Sequence, residues 1–516
     1  MPAILSIIIF LPLLGGIVVL LIPKERVQAI RWTAVGFAAL GLLLALILIL
    51  LYAQANITST SQAIGSAPNG TFLFNEQVSW IPAIGINYSV GVDGISLFLV
   101  ALSALLTLVC IAASFSIEQK VKNYMAFMLL LDCGILGVFL STNLFLFYIF
   151  WEVMLIPGYF LVGGWGGERR IYAAFKFVLY TSVGSLLMLA GIIALGYYHQ
   201  LAVGGSYSLD LNVLFNGTIA SGAQTWIMLA FALAFAIKTP LVPFHSWLPD
   251  AYGEAPAPVT AMLAGAMSKT GVYGFLRFVL TLFPAAVHQF APLFSILAVI
   301  SILYCAVLAL VQSDLKRLLA YSSISHLGVI VLGIFAFNTQ GIEGAVLQMI
   351  NHGITMTALF LIVGFIEART LTRNIRNFSG MAWRVPILAT VLMIACLSSL
   401  GLPGLNSFAG EFLALLGAFR SNEVFGILGT AVVIPAAWYL TRLVLGVMEG
   451  PIQRAGTLAT LDRKGKLHDM HIGEFVVLLP LLLLIFYIGL QPVPFTSMME
   501  PSVINTLQTL GRAVVP

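Results

Sequence analysis

The strongest constraint on this chain is a recurrence of long apolar runs. Fourteen of them follow one another, at 3–22, 31–52, 94–115, 123–141, 143–165, 172–198, 223–250, 256–282, 289–311, 317–336, 341–367, 386–420, 424–448 and 472–490. Most are roughly 20 residues long, the length of helix that crosses a ~30 Å hydrocarbon layer. The chain has 516 residues, of which 60% are hydrophobic and 9% charged, whereas a water-soluble globule is about a quarter charged. The alternating ~10-residue segments of a membrane barrel are absent. The fold class expected is therefore an all-α polytopic membrane protein with fourteen transmembrane helices. The first run has no basic start and is long enough to span, so it reads as a helix rather than a cleaved leader.

Two runs, 223–250 and 386–420, are too long for one crossing and contain prolines, Pro240 and Pro243 in the first and Pro403 in the second. Proline removes a backbone donor and clashes with a carbonyl one turn back. The freed carbonyls are tolerated at membrane depth only where protein or water satisfies them. Each run is expected to form two half-helices.

Charge placement sets the topology. With the N-terminus outside, seventeen of the 24 Lys and Arg fall on the inner side, Arg420 and Arg512 fall outside, and five lie within spans. That asymmetry predicts a multi-pass protein of the bacterial inner membrane with its N-terminus on the outer side. The net charge of +4 is a topology signal, so lipid is the expected surrounding and nucleic acid is not an expected partner. Cys110, Cys133, Cys305 and Cys396 lie singly in apolar runs and read as packing residues. With no iron–sulfur, haem or zinc ligand set in view, no cofactor and no metal is expected in this chain.

Counting from the fourth span, five spans end at the eighth and five more at the thirteenth, with the proline-broken span fourth in each group. An odd repeat length inverts the second group, and inverted repeats with matching broken helices are a transporter pattern. The division expected is 1–122 (helices 1–3 with an outer loop at 53–93), 123–282 (first five-helix repeat), 283–449 (inverted second repeat) and 450–516 (inner loop, helix 14 and C-terminal tail).

Ionisable residues far from any span end are few: Asp132, Glu152, Lys238, Lys269, His326, His352 and Glu411. A charge at the bilayer centre costs at least ~2.5–3.5 kcal/mol and usually marks an ion or proton path. Six of the seven fall at similar depth on six helices, so they are expected to form a polar row parallel to the membrane plane. Burial drives carboxylates and lysines alike toward their neutral forms, and imidazole titrates near neutral pH, so such a row suits proton transfer. Ser322, Ser323, Ser325, Thr355 and Thr357 lie beside the two histidines. His245 and Asp132 are weaker candidates, the first also readable as a helix cap and the second as a polar anchor. Lys176 and Arg277, near span ends, are expected to snorkel.

The stretches carrying these residues are "FYIFWEVMLIPGYFLVGGWGGERRIYAAFKFVLYT", "AIKTPLVPFHSWLPDAYGEAPAPVTAMLAGAMSKTGVYG", "LKRLLAYSSISHLG", "QMINHGITMTALF" and "GLPGLNSFAGEF". Together they resemble the antiporter-like, proton-translocating subunits of respiratory complex I, over nearly the whole chain. Glu411 stands where the L and N branches and Mrp-type antiporters usually carry lysine, which favours the M branch, the mitochondrial chain 4 type. The chain also stops soon after the last span, unlike the L branch.

The resemblance implies two inverted five-helix repeats and a proton-pumping role within an NADH-quinone oxidoreductase. It implies Glu152 paired to Lys238, Lys269 central, His326 and His352 bridging, and Glu411 terminal. It implies L-like and N-like membrane neighbours, and FMN, iron–sulfur clusters and quinone in partner subunits rather than here. Tyr252 departs from the histidine common after "LPDA". The alternatives are a Mrp-type cation/proton antiporter subunit, or the equivalent subunit of a membrane-bound hydrogenase or ferredoxin-linked photosynthetic complex.

Overall fold

Lipid offers a backbone no hydrogen-bond partners, so a chain this apolar must close its main-chain bonds within helices. The computed structural model describes residues 3–60, 72–81, 86–204, 206–217, 219–450 and 467–511. In chain order the principal helices are α1 (Ile4–Leu21), α2 (Val27–Thr60), α3 (Gly94–Ala113), α4 (Val121–Leu140), α5 (Leu144–Trp165), α6 (Arg170–Val203), α7 (Ser221–Lys238), α8 (Trp247–Glu254), α9 (257–282), α10 (Pro284–Val311), α11 (Leu315–Ile334), α12 (Thr339–Thr370), α13 (Pro386–Ser399), α14 (Asn406–Ser421), α15 (Glu423–Met448), α16 (Ile472–Leu490) and α17 (Val493–Gly511).

Among the described residues, twelve helices are long and apolar enough to cross a membrane. The two expected spans outside that set are both interrupted. α9 carries two π turns, Leu263–Met267 and Phe275–Val279. The 386–420 stretch is split into α13 and α14, neither of which reaches membrane length alone.

Both proline breaks are present, and their freed polar groups have partners. In the first, α7 ends at Lys238 and α8 resumes at Trp247. The Trp247 indole donates to the Ile237 carbonyl at 2.9 Å, and Ser301 Oγ accepts from Val242 N at 2.9 Å. The second turns through Gly401 and Gly404, with φ of +77° and +91°, a region that glycine enters without steric cost. Here Asn351 and Asn406 clasp each other's carbonyls at 2.7 and 3.2 Å, and Ser398 Oγ donates to Asn406 Oδ1 at 2.6 Å.

α11 and α12 are buried on nearly every side, whereas α1, α2, α6, α15 and α16 turn leucines, isoleucines and aromatics outward. α12 packs closely on α14 because small residues meet there, Gly341 and Gly344 against Ala414 and Gly417. Small residues of this kind let membrane helices approach.

On the face where the N-terminus lies, an antiparallel hairpin of β1 (Leu73–Ile81) and β2 (Ile86–Val92) leads into α3. Asp93 caps α3, its Oδ1 accepting from Ser96 N at 2.9 Å. The expected loop at 53–93 therefore contains structure, and α2 continues to Thr60. Its 61–71 and 82–85 parts lie outside the described residues, as do 451–466 of the expected inner loop and 512–516 of the expected tail. Over 493–511 that tail is a helix, α17, which packs on α3 and α12; Gly94 N donates to Ser502 Oγ at 3.0 Å.

Candidate functional site

An ionisable group at membrane depth stays only where something holds it, so the partners of each one define the site. Lys269 is fully buried at the end of the first π turn of α9. Its ammonium donates to the Ala264 carbonyl at 2.5 Å, a carbonyl on that same turn. It also lies 2.7 Å from His352 Nδ1 on α12 and 3.3 Å from Ser268 Oγ. The His352 ring faces the His326 ring of α11, with centroids 5.9 Å apart. His326 Nδ1 lies 2.5 Å from Glu411 Oε1 on α14. Gln348 of α12 donates to the same oxygen at 2.9 Å.

Four of the six expected row members thus fall into two pairs, Lys269–His352 and His326–Glu411, across α9, α12, α11 and α14, with the two imidazole rings between them. The second break aims their last member, since Gly401 leaves room beside Glu411 Oε2, where an added Cβ would stand 3.2 Å away. The second histidine nitrogen extends the cluster. His326 Nε2 is 3.5 Å from the Tyr439 hydroxyl on α15, which in turn is 2.8 Å from Ser322 Oγ.

Lys238 and Glu152 stand apart from those pairs. Lys238 is the last residue of α7, where the negative end of a helix dipole favours a cation. Its ammonium sits over the Trp151 and Phe177 rings, at 5.3 and 5.6 Å from their centroids, a cation–π arrangement. It makes no hydrogen bond among the described residues, and neither does Glu152 Oε1. Glu152 is near enough to act on Lys238 electrostatically, yet the two form no ion pair here. α7 and α9 meet closely at Gly271, where an added Cβ would stand 3.1 Å from Lys238 Cβ.

Asp132 accepts from Ser103 Oγ at 2.6 Å, between α4 and α3. His245 does not cap α8. Its ring lies between Tyr304 and Tyr321, at centroid distances of 5.8 and 6.5 Å, and its Nδ1 has no partner among the described residues.

Two residues expected to snorkel do not. Lys176 donates to Asp250 Oδ2 at 2.8 Å and to the Ser246 carbonyl at 2.9 Å, in the turn of the first break. Arg277 is buried and pairs with Asp93 at 2.5 Å. Their partners lie 74 and 184 residues away in sequence, so neither pairing has a local signature. Sequence reasoning also passed over Gln348, Tyr439, Asn351 and Asn406. Of these, Gln348 carried a signal, because it precedes His352 by four residues and shares its helix face.

Among the described residues no group of three or more His, Cys, Asp or Glu could hold a metal ion. The arrangement sets lysine beside one imidazole and carboxylate beside the other, each within hydrogen-bond reach in a buried site, which suits proton transfer.

Comparison with known proteins places the chain among membrane energy converters. Residues 141–434 match the family described as NADH:quinone oxidoreductase/Mrp antiporter, TM. NADH-quinone oxidoreductase subunit M of Rickettsia prowazekii is 40% identical over 507 residues, covering 98% of each chain. NADH-ubiquinone oxidoreductase chain 4 of Marchantia polymorpha is 36% identical over 506 residues, covering 98% of this chain and 97% of that one. A chain of the solved respiratory complex I from Thermus thermophilus superposes with a TM-score of 0.86 at 31% identity, over 98% of this chain and 100% of that one.

Proposed function

Because this chain belongs to the NADH-quinone oxidoreductase subunit M and chain 4 family, we propose that its buried row is the path along which it moves protons. The chain is an antiporter-like, proton-translocating membrane subunit of complex I, and so part of an enzyme whose redox chemistry takes place on other subunits. The observation that supports the proton path is the pairing of Lys269 with His352 and of His326 with Glu411, with the two imidazole rings 5.9 Å apart between the pairs.

In this reading Lys238 and Glu152 load the row, Lys269 receives the charge, the two histidines pass it on, and Glu411 is the terminal group. Lys238 takes part without a fixed partner: an unbonded ammonium over two aromatic rings can turn toward Glu152 or toward α9 without first breaking a hydrogen bond. His245 and Asp132 stay outside the main path.

The chain crosses the inner membrane fourteen times, with its N-terminus outside. Helices 4–8 and 9–13 form inverted repeats, and the two breaks fall at corresponding places in them, which supports this count. L-like and N-like membrane subunits flank it. FMN, iron–sulfur clusters and quinone belong to partner subunits. Full-length relatives at 36–40% identity that carry complex I names favour this reading over a Mrp-type antiporter.

The test is Lys238→Ala and Glu411→Gln in the intact complex, assayed in native membrane vesicles for NADH:quinone reduction and NADH-driven proton translocation. Both variants should lose most translocation. Wild-type values for both activities in both variants would refute the assignment.

A further inference from the structure

Arg277 and Asp93 form a second buried ionic site, which the proposed path does not use. α9 carries Lys269, Tyr273 and Arg277 at successive intervals of four residues, so Tyr273 lies one turn from Lys269 on the same face. Eight residues at ~1.5 Å each put Arg277 roughly 12 Å from Lys269 along the helix axis, toward the N-terminal face. Arg277 Nε donates to the Tyr273 hydroxyl at 3.2 Å, and its NH2 group donates to Asp93 Oδ2 at 2.5 Å. The Tyr273 hydroxyl donates to the Phe139 carbonyl at 3.1 Å. Phe72 closes the site from the hairpin side, its ring centroid 4.9 Å from the guanidinium carbon. Arg277, Tyr273 and Asp93 are all buried.

Tyr273 and Arg277 therefore occupy the stretch of α9 between Lys269 and the N-terminal face. A proton wire needs each member both to donate and to accept. Guanidinium has five donors, no acceptor, and stays protonated in proteins. The hydroxyl of Tyr273 is already committed, receiving from Arg277 and donating to a carbonyl. A fixed cation in a low-dielectric site also repels a proton coming from the Lys269 side, as arginine does in water-selective pores.

The geometry points to Arg277, held by Asp93, as the outer seal of the first repeat: it stops protons that reach Lys269 from escaping directly to the outer phase, so that they continue to His352 and Glu411. This role rests on the proton-path reading. It makes Arg277 a positioning and barrier residue, not a member of the path.

The test uses the whole purified complex reconstituted in liposomes. Passive proton influx is measured with a trapped pH dye under a potassium diffusion potential without NADH; NADH-driven translocation is measured separately. Arg277→Ala should raise the passive leak about tenfold, the change that follows from removing 2.3RT from a barrier. Asp93→Asn keeps the guanidinium and a good helix cap while loosening the hold on it, and should leak less than Arg277→Ala. The double variant Asp93→Asn/Arg277→Gln leaves no buried charge unpaired, so it assembles even where Arg277→Ala does not. It should leak like Arg277→Ala.

A pair that only ties α9 to α3 would give tight liposomes for every variant, and that result overturns the seal. Equal leaks from Asp93→Asn and Arg277→Ala overturn it too. Absence of NADH-driven translocation in the wild-type complex would instead count against the proton-path reading, so the two failures are told apart.

Discussion

Gly410→Ala tests whether the row depends on helix spacing as well as on ionisable groups. Gly410 precedes Glu411 on α14 and faces Gln348 of α12. A Cβ at this position would stand 2.6 Å from Gln348 Oε1 and 2.8 Å from the Gln348 backbone nitrogen. Ordinary contact begins near 3.4 Å, so at the backbone the two helices must part by about 0.6 Å. The bond from Gln348 Nε2 to Glu411 Oε1, now 2.9 Å, would stretch to about 3.5 Å, beyond the ~3.2 Å limit of a normal N–H···O bond. A hydrogen bond to a charged group contributes about 1.5–3 kcal/mol. Losing the lower value on the proposed proton path would slow that step about tenfold. No titratable group is changed.

The expected result is an assembled complex with NADH:quinone reduction near wild type and NADH-driven proton translocation reduced about tenfold, as measured in native vesicles. Gly164→Ala is the control. Nothing lies within 4 Å of its added Cβ, and alanine is preferred to glycine inside a helix by about 0.5–1 kcal/mol, so both activities should hold. Wild-type translocation by an assembled Gly410→Ala complex would refute the spacing argument. Equal damage from Gly164→Ala would show that the assay reports general stability instead.

Two further outcomes are expected. Asn406→Ala removes an amide that bonds Asn351 and Ser398 across the second break; the loss is about 2–4 kcal/mol, read as faster heat inactivation of coupled activity in the purified complex. Tyr439→Phe removes the hydroxyl that lies 2.8 Å from Ser322 Oγ and 3.5 Å from His326 Nε2, and at about 1 kcal/mol it should slow translocation less than tenfold while leaving NADH:quinone reduction unchanged.

Much of the proposed site was legible in the sequence because lipid makes charge conspicuous. A lysine in "AMSKTGVYG" or a glutamate in "AGEF" stands out from its surroundings, and depth along the span sets its level. The breaks were legible because proline acts locally. What stayed hidden depends on long-range packing. Lys176 and Arg277 sit near span ends, where a snorkelling side chain and a paired one look alike, and only the fold brings Asp250 and Asp93 to them. Tyr439 is one aromatic residue in an apolar run until α15 packs against α11. The row also divided in a way that depth alone does not reveal, with Lys238 and Glu152 held apart from the Lys269–His352 and His326–Glu411 pairs. The expected tail is a helix, because 493–511 is polar on one side and apolar on the other, and α3 and α12 offer a surface for the apolar side.

The close spacing of Lys269, His352, His326 and Glu411 has a consequence for spectroscopy. Lys269 lies 2.7 Å from His352 Nδ1, and Glu411 lies 2.5 Å from His326 Nδ1, so each ring has one ionisable neighbour at hydrogen-bond distance. A nitrogen isotope label on either histidine should therefore respond most strongly to substitution of that neighbour, Lys269 for His352 and Glu411 for His326.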